Sequence, residues 1–490
     1  MFFSNIKSQI SKKVHFIGIG GIGMSALALL LNKIGIDVQG SDINESYITN
    51  LLREKNITFF LNHNSKNIDN NIDLVVKTSI IKEDNPEIIA AKSLGIKIIT
   101  RAQLLALIMQ EGYGVTVSGT HGKTSTTAMI SLIIEFAKLD PIVINGGIIN
   151  YFKSNFKLGD GDYIIAESDE SDGSFVELPT KIGAVTNIEP EHLEFYNNDF
   201  DIAKKYYERY VNQIDEKGLC VMCIDDEEVK KIYNKLKKYK NNLISYSIKD
   251  SKADIYASSI KSSNKGIIFD VTINRNNNCL NKNNKNNLDK ISDINIPTFG
   301  IHNCSNSLIA IAIADFLDIN ENITKEALIN FSGVKRRFSK VGKFNNIEII
   351  DDYAHHPTEI KATIQAAKQF AGNNKVILVL QPHKYTRVRD LFLEFSQCVS
   401  DADIVIISEI YAASQKPIAG INQDSLIAEM KARGHKNIIK LNNENEIPEL
   451  IFNLAKSGDI VLFAGAGNIT YWANKLEEQL KILSSKNDKY

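Results

Sequence analysis

Short Val/Ile-rich runs alternate with helical patterns along the whole chain, and this pattern most narrows what the chain can fold into. Parallel sheets covered by helices are the architecture it predicts. The strand candidates include Val14–Ile19, Leu74–Thr78, Gly114–Ser118, Tyr163–Glu167, Val376–Leu380, Ile404–Ile407 and Ile460–Ala464. Two of them, Val14–Ile19 and Gly114–Ser118, run into glycine-rich turns that open helices. A third block begins with the strand Ile347–Ile350 and ends at Gly465-Ala466-Gly467. At 490 residues the chain has room for three domains, since one domain usually holds about 100–200. Boundaries are expected near residue 110, at Gln-Glu-Gly-Tyr-Gly, and near residue 333, at Ser-Gly-Val-Lys-Arg-Arg. The crowded Asn, Lys and Asp of Asn274–Asn295 predict a long exposed loop.

The second glycine turn carries the sharpest chemistry. Val115-Thr-Val-Ser-Gly-Thr-His-Gly-Lys-Thr-Ser-Thr-Thr127 places a strand before Gly119 and opens a helix at Gly122-Lys123-Thr124. Glycines let backbone N–H groups face phosphate oxygens, and the helix N-terminus adds a favourable dipole. Lys123 would neutralise the β- and γ-phosphates of a nucleotide, and the Thr124 hydroxyl would ligate Mg2+. Val117 stands where the usual phosphate loop has its first glycine. Two later strands also end in polar clusters. Glu167 begins Glu-Ser-Asp-Glu-Ser-Asp-Gly-Ser-Phe175 and is a candidate metal ligand; His192 closes Thr186-Asn-Ile-Glu-Pro-Glu-His192 and is a second one.

The first turn, Gly18-Ile-Gly20-Gly21-Ile-Gly23-Met24, has the form of a dinucleotide fingerprint, with Asp42 placed to take ribose hydroxyls. Any pyrophosphate satisfies that loop, so it leaves an NAD-dependent oxidoreductase and a UDP-sugar protein both open. His63 and Thr78-Ser79 could approach the same ligand. In the third block, Asp351-Asp-Tyr-Ala-His-His-Pro357 and Gln381-Pro-His-Lys-Tyr-Thr-Arg387 follow strands. Their His355, Lys384 and Arg387 suit a carboxylate. Asn303 and Asn306 open a helix with carboxamides whose fork can read adenine.

Bulk properties exclude some classes. Lys and Arg number 57 against 58 Asp and Glu, so no global attraction to nucleic acid or anionic membrane is expected. Apolar stretches such as Met24–Leu31 fall short of the ~20 residues a membrane span needs, and no signal-peptide core precedes the first strand. A cytoplasmic protein is expected. Of five cysteines, Cys220 and Cys223 form one C-x-x-C in an apolar run, which reads as buried strand packing rather than half a zinc site.

Taken in order, these motifs resemble the Mur ligase family from residue 14 to residue 467. The resemblance rests on Gly18-Ile-Gly-Gly-Ile-Gly-Met-Ser25, Gly119-Thr-His-Gly-Lys-Thr124, Glu167–Phe175, Thr186–His192, His302-Asn-Cys-Ser-Asn306, Gly333-Val-Lys-Arg-Arg-Phe338, Asp351–Pro357, Gln381-Pro-His and Gly465-Ala-Gly467. It implies an α/β protein of three domains. A Rossmann-like domain at 1–110 would bind a UDP-sugar, a P-loop ATPase-like domain at 111–332 ATP, and a Rossmann-like domain at 333–490 an amino acid. The implied reaction is ATP-dependent amide formation between UDP-N-acetylmuramate and L-alanine through an acyl phosphate, by a monomer or homodimer.

The implied roles follow residue by residue. Gly18, Gly20, Gly21, Gly23, Met24, Asp42, His63 and Ser79 would hold the UDP-sugar. Gly119, Thr120, His121, Gly122, Lys123, Thr124 and Ser125 would cradle ATP phosphates, with Asn303 and Asn306 at adenine and Arg337 and Asp352 reaching ATP. Thr124 and Glu167 would hold one Mg2+ and His192 another. His355, Lys384 and Arg387 would surround the amino acid, and Lys123, His192 and His355 would act in catalysis, His355 as candidate base. Lys384 stands where the family has Arg, Glu191 and Asn468 where it has Asp, and Ala26 where Gly is common. A recycling relative adding a whole peptide, and a nucleotide-binding switch without turnover, are the rival readings.

Overall fold

The computed structural model describes residues 3–78, 80–277, 280 and 288–487. The first sheet contains β1 (Lys13–Ile17), β2 (Asp37–Asp42), β3 (Thr58–Leu61), β4 (Ile72–Lys77) and β5 (Lys97–Thr100). All pair in parallel in the order β3-β2-β1-β4-β5. The order reverses beside β1, and the first glycine turn lies at that switch point, where open α/β sheets hold ligands.

The second sheet is longer. Its strands are β6 (Tyr113–Ser118), β7 (Ile142–Ile149), β8 (Ser154–Lys157), β9 (Tyr163–Glu167), β10 (Ile182–Val185), β11 (Leu219–Cys223), β12 (Leu243–Ser247), β13 (Ile255–Ser263), β14 (Gly266–Asn274) and β15 (Leu288–Ile296). They follow the order β15-β14-β13-β12-β11-β10-β6-β9-β7-β8. β6, which feeds the phosphate turn, pairs in parallel with β9 on one side and β10 on the other. Both candidate metal-ligand segments therefore leave the sheet at strands adjoining β6.

The third sheet contains β16 (Ser339–Phe344), β17 (Ile347–Asp352), β18 (Val376–Leu380), β19 (Ile404–Ile407), β20 (Ile438–Lys440) and β21 (Ile460–Ala464), in the order β16-β17-β21-β18-β19-β20. Only β16 runs antiparallel to its neighbour among these. Every residue of β11, β18 and β21 is buried, as continuous apolar runs in helix-covered parallel sheets require.

The chain divides into two compact units. One comprises Met1–Ser259, Phe269–Ile294 and Ser305–Phe331; the other Ile260–Ile268, Asn295–Cys304 and Ser332–Tyr490. The first two sheets share one apolar core in the first unit. Leu27, Leu30 and Leu31 of the helix Ile22–Lys33 pack with Ile142, Ile144 and Ile164 of the second sheet. Asn155 Nδ2 also donates to Ile22 O at 2.8 Å. Each fully buried Leu or Ile contributes roughly 1.5–3 kcal/mol, so that seam is a strong attachment.

The Asn-rich segment departs from the exposed-loop expectation. Residues 278, 279 and 281–287, with Cys279, lie outside the described residues, but Leu288–Ile296 is a strand. Ile291, Ile294 and Ile296 are buried there and anchor the strand against β14, although the polar residues between them hide the pattern in composition. Cys220, Cys223, Cys304 and Cys398 are free and buried, and burial pushes the Cys220 thiol up to about 12. Among the described residues no helix is long and apolar enough to cross a membrane.

Leu30→Ala is expected to cost about 2–5 kcal/mol, because the buried seam between helix and second sheet leaves a cavity that cannot collapse. Urea denaturation of the full chain checks this; a loss under 1 kcal/mol would mean that the seam is not stabilising the first unit.

Candidate functional site

The second glycine turn is shaped by its neighbours. Gly119 and Gly122 have φ of 129° and 84°, conformations that side chains rarely adopt. A Cβ on Gly119 would lie 2.0 Å from Thr186 Oγ1, and one on Gly122 2.7 Å from Asn306 Oδ1. The segment after β10 stitches the turn in place. Thr120 N donates to Asn187 O, His121 N to Asn187 Oδ1, and Glu189 N to Thr120 Oγ1, at 3.0, 2.8 and 2.8 Å. Thr186 Oγ1 and Asn187 Nδ2 both donate to His121 O, at 2.7 and 3.0 Å. The helix Lys123–Phe136 then begins, with Thr124 buried and Ser125 half-buried in its first turn.

Lys123 already has partners. Its Nζ donates to Gly119 O at 2.5 Å and Thr120 O at 3.0 Å, and meets Glu170 Oε2 at 2.8 Å. Burial alone would lower its pKa, but Glu170 and Asp169 outweigh burial and raise it, so the ammonium stays charged. Burial pushes Glu170 up to about 7 against the pull of Lys123. Asp169 resists burial and is held low by Arg101, whose Nη2 sits 3.3 Å from its Oδ2. Glu167, at the end of β9, accepts Gly146 N–H at 2.7 Å. A Cβ on Gly146 would come within 2.6 Å of the other Glu167 oxygen, so this carboxylate needs a glycine beside it. His192 is half-buried at φ 55°, and its carbonyl accepts Phe195 N–H at 3.2 Å. Asn306, within the same unit, stands against the phosphate turn at Gly122.

The first glycine turn is also self-braced. Gly18 N and Ile19 N donate to Ser41 O, and Gly20 N donates to Asp42 Oδ2 at 2.9 Å. Gly20 has no room for a side chain, since a Cβ would lie 2.9 Å from that oxygen. Asp42 thus braces the turn that a pyrophosphate would use. A Cβ on Gly23 would touch Arg101 Cδ at 3.3 Å, and one on Gly18 would lie 3.6 Å from Thr78 Cγ2; Gly21 faces Gly18 O. Met24 is buried in the shared core. His63 is mostly covered and bonds Ser41 through Nδ1 at 2.9 Å. Ser79 lies outside the described residues.

In the second unit a basic cluster gathers where β17 and β18 end. His355 Nδ1 donates to Tyr353 O at 2.9 Å. Its ring lies 5.7 Å from His383, which stacks on Tyr411. Arg387 Nη1 donates to His383 Nδ1 at 3.1 Å, so the proton of that neutral ring sits on Nε2. Burial drives His383 down to about 3, helped by His355, Arg387 and Lys384. Lys384 holds φ 68° and donates its backbone N–H to Tyr411 O at 2.9 Å. Arg336 and Arg337 lie over the Tyr353 ring, at 4.8 and 5.5 Å. Arg337 faces Glu359 at 3.7 Å, and Arg336 donates to Gly465 O at 2.7 Å. Asp352 accepts the amides of Phe338 and Ala354, both at 2.7 Å, and burial raises it to about 6 against Arg337. Asn303, also in this unit, donates to Phe299 O at 2.7 Å. A cavity of about 480 Å³ opens beside the cluster, lined by Gln381, Ser408, Glu409, Tyr411, Asn468 and Trp472.

Sequence reading passed over Glu170, Arg101 and His383 as individual actors. Glu170 lies within Glu167–Phe175 and His383 within Gln381-Pro-His, and Arg101 directly follows β5, a signal of the same kind as the others.

Comparison with known proteins covers nearly the whole chain. Residues 13–113 match the Mur ligase family catalytic domain, 117–314 the Mur ligase middle domain and 336–467 the Mur ligase glutamate ligase domain. A UDP-N-acetylmuramate–L-alanine ligase of Gluconobacter oxydans is 40% identical over 471 residues, 96% of either chain. One from Chelativorans sp. is 42% identical over 467 residues, 95% of this chain and 98% of that one. The crystal structure of UDP-N-acetylmuramate-alanine ligase from Thermotoga maritima superposes with a TM-score of 0.80 at 29% identity, covering 97% of this chain and 100% of that one.

His383 should remain neutral throughout pH 5–8, and its imidazole ¹⁵N signals should not titrate above pH 5. Because its folded pKa lies below the ordinary 6.5, the unfolded chain gains a proton that the folded one refuses as pH falls below 6.5. Stability is therefore lost on acidification, and His383→Gln should reduce that loss. Titration of His383 near pH 6.5 in the folded protein would refute the assignment.

Proposed function

The chain belongs to the Mur ligase family, and from that premise we propose that it joins L-alanine to UDP-N-acetylmuramate with ATP. This is an amide-forming step of peptidoglycan precursor synthesis, assigned to the cytoplasm and to a monomer or homodimer. The observation that carries it is end-to-end similarity, 40% identity over 471 residues, to a curated ligase of that name. The pre-shaped phosphate turn supports it. A nicotinamide oxidoreductase leaves Gly122-Lys123-Thr124 without a purpose, and so gives way.

A carboxylate does not accept an amine directly, because oxide is its leaving group. In the proposed reaction the muramoyl carboxylate oxygen attacks the γ-phosphorus of ATP, and the β–γ bridging P–O bond breaks to release ADP. The alanine nitrogen then attacks the acyl carbon, the C–O bond to phosphate breaks, and the amine gives up a proton. Within the turn Gly119 to Ser125 the N–H groups of Thr120 and His121 are engaged by Asn187, so those of Gly122, Lys123, Thr124 and Ser125 would hold the phosphates, and Lys123 would exchange Glu170 for the γ-phosphate. The rise in the Glu170 pKa fits that exchange, since a carboxyl losing its ammonium partner can take up a proton. His355, whose Nδ1 is held by Tyr353 O, is the candidate base, and Lys384 and Arg387 would hold the alanine carboxylate. Asn303 and Asn306 are assigned to adenine, and Arg337 and Asp352 to ATP. Gly18, Gly20, Gly21, Gly23, Met24, Asp42, His63 and Ser79 are assigned to the UDP-sugar.

Thr124 and Glu167 would offer a hydroxyl and a carboxylate to one Mg2+, and His192 an imidazole to another. The oxygen pair suits Mg2+, and the glycine at 146 that leaves space for Glu167 fits a carboxylate kept in one orientation. Bound there, Mg2+ would neutralise charge on the transferring phosphoryl group.

Phosphate release from Mg-ATP should require both UDP-N-acetylmuramate and L-alanine, with the amide product found by mass. Lys123→Ala should lower the rate by about a hundredfold or more. Phosphate that appears without either acceptor, or never appears, overturns the ligase reading.

A further inference from the structure

One buried charge in the first unit is used by none of the steps above. Glu87 is wholly buried, yet five groups converge on its carboxylate. Oε2 accepts the Ser41 hydroxyl at 2.6 Å and lies 3.3 Å from His15 Nε2 and 3.4 Å from His63 Nδ1. Oε1 accepts Asn67 Nδ2 at 2.7 Å and the Asn64 amide at 3.3 Å. Glu87 sits in the first turn of the helix Pro86–Ser93, where the helix dipole also favours an anion. Burial opposes its ionisation, but His15, Ser41 and Asn67 outweigh burial and keep its pKa below the usual carboxylate value.

Counting protons fixes both imidazoles. Gln39 Nε2 donates to His15 Nδ1 at 3.1 Å, so His15 carries its hydrogen on Nε2, facing Glu87. Ser41 has one hydroxyl hydrogen, and the 2.6 Å contact with an ionised carboxylate consumes it. At 2.9 Å from that same oxygen, His63 Nδ1 must therefore be the donor. Nε2 of His63 has no hydrogen bond to any described residue, which leaves it as the ring's polar contact with a ligand. Ser41 also supplies the carbonyl that Gly18 N and Ile19 N share. One carboxylate thus reaches the first glycine turn and its neighbouring imidazole together.

We propose that Glu87 is a positioning residue for the UDP-sugar site: through Ser41 it locks His63 in the Nδ1–H form and turns Nε2 to the ligand. A core role alone would demand only that the carboxylate be satisfied. It would not couple the charge to an imidazole through Ser41, whose carbonyl braces the turn. The inference rests on the UDP-sugar reading of that turn, but the tautomer does not.

The test has two arms. In the ligand-free full chain, long-range ¹H–¹⁵N spectra of labelled histidines should show His63 protonated at Nδ1, its signal identified by loss in His63→Gln. Glu87→Gln, which can donate as well as accept, should alter that pattern. In steady-state assays Glu87→Gln should raise the KM for UDP-N-acetylmuramate about tenfold, the scale of losses from groups that orient a ligating histidine. The KM for ATP and kcat should stay within about twofold. Glu87→Asp should recover part of the loss, and adding His63→Gln to Glu87→Gln should cost little more. An unchanged KM, or ATP and UDP-sugar parameters falling together with the melting temperature, overturns the proposal. If wild-type protein shows no calorimetric binding of UDP-N-acetylmuramate, the functional reading fails instead. The ligand-free spectra still decide the Glu87–Ser41–His63 relay.

Discussion

Gly119 admits no side chain because Thr186 occupies the space where one would start, and much of the molecule answers to that contact. The close approach brings the segment after β10 against the turn after β6. Five hydrogen bonds then hold the turn open as a row of backbone donors and carbonyls. This is possible only because β6 lies between β9 and β10 in one parallel sheet, so three successive polar segments leave the same edge. A turn held in this way would need no ordering to take an anion, which is the physical advantage of fixing it by the fold.

The same principle governs the buried charges. Lys123 and Glu170, Glu87 and its two histidines, and Asp352 with backbone amides are each largely desolvated and each partnered. An unpaired charge in such a place would neutralise or unfold the region. Paired, it becomes a fixed local field. The pairs differ in what displaces them. Glu170 faces a lysine that a phosphate could claim, whereas Glu87 is enclosed by donors from β1, β2 and the loop after β3, and is set to orient rather than to exchange.

How much could be read beforehand depends on the range of each signal. Tyr163–Glu167, Val376–Leu380, Ile404–Ile407 and Ile460–Ala464 were legible to the residue, because buried parallel strands are unbroken apolar runs with sharp polar ends. The two glycine turns were legible because a backbone that must adopt positive φ leaves glycine in the chain. The strand Leu288–Ile296 lies almost wholly within the Asn274–Asn295 loop expectation because its isoleucines are diluted by Asp, Lys and Asn, and only pairing with β14 shows that they are buried.

From the sequence alone came the α/β class, the order of the glycine turns, and the Lys and Thr that open the second one. These are local: periodicity, turn chemistry and helix starts are written within a few neighbouring residues. The tertiary structure alone decided that Glu170 engages Lys123, that Arg101 lies between Gly23 and Asp169, and that Glu87 gathers Ser41, His15 and His63. Such pairs join residues tens of positions apart, and strand order, not spacing along the chain, determines which of them meet.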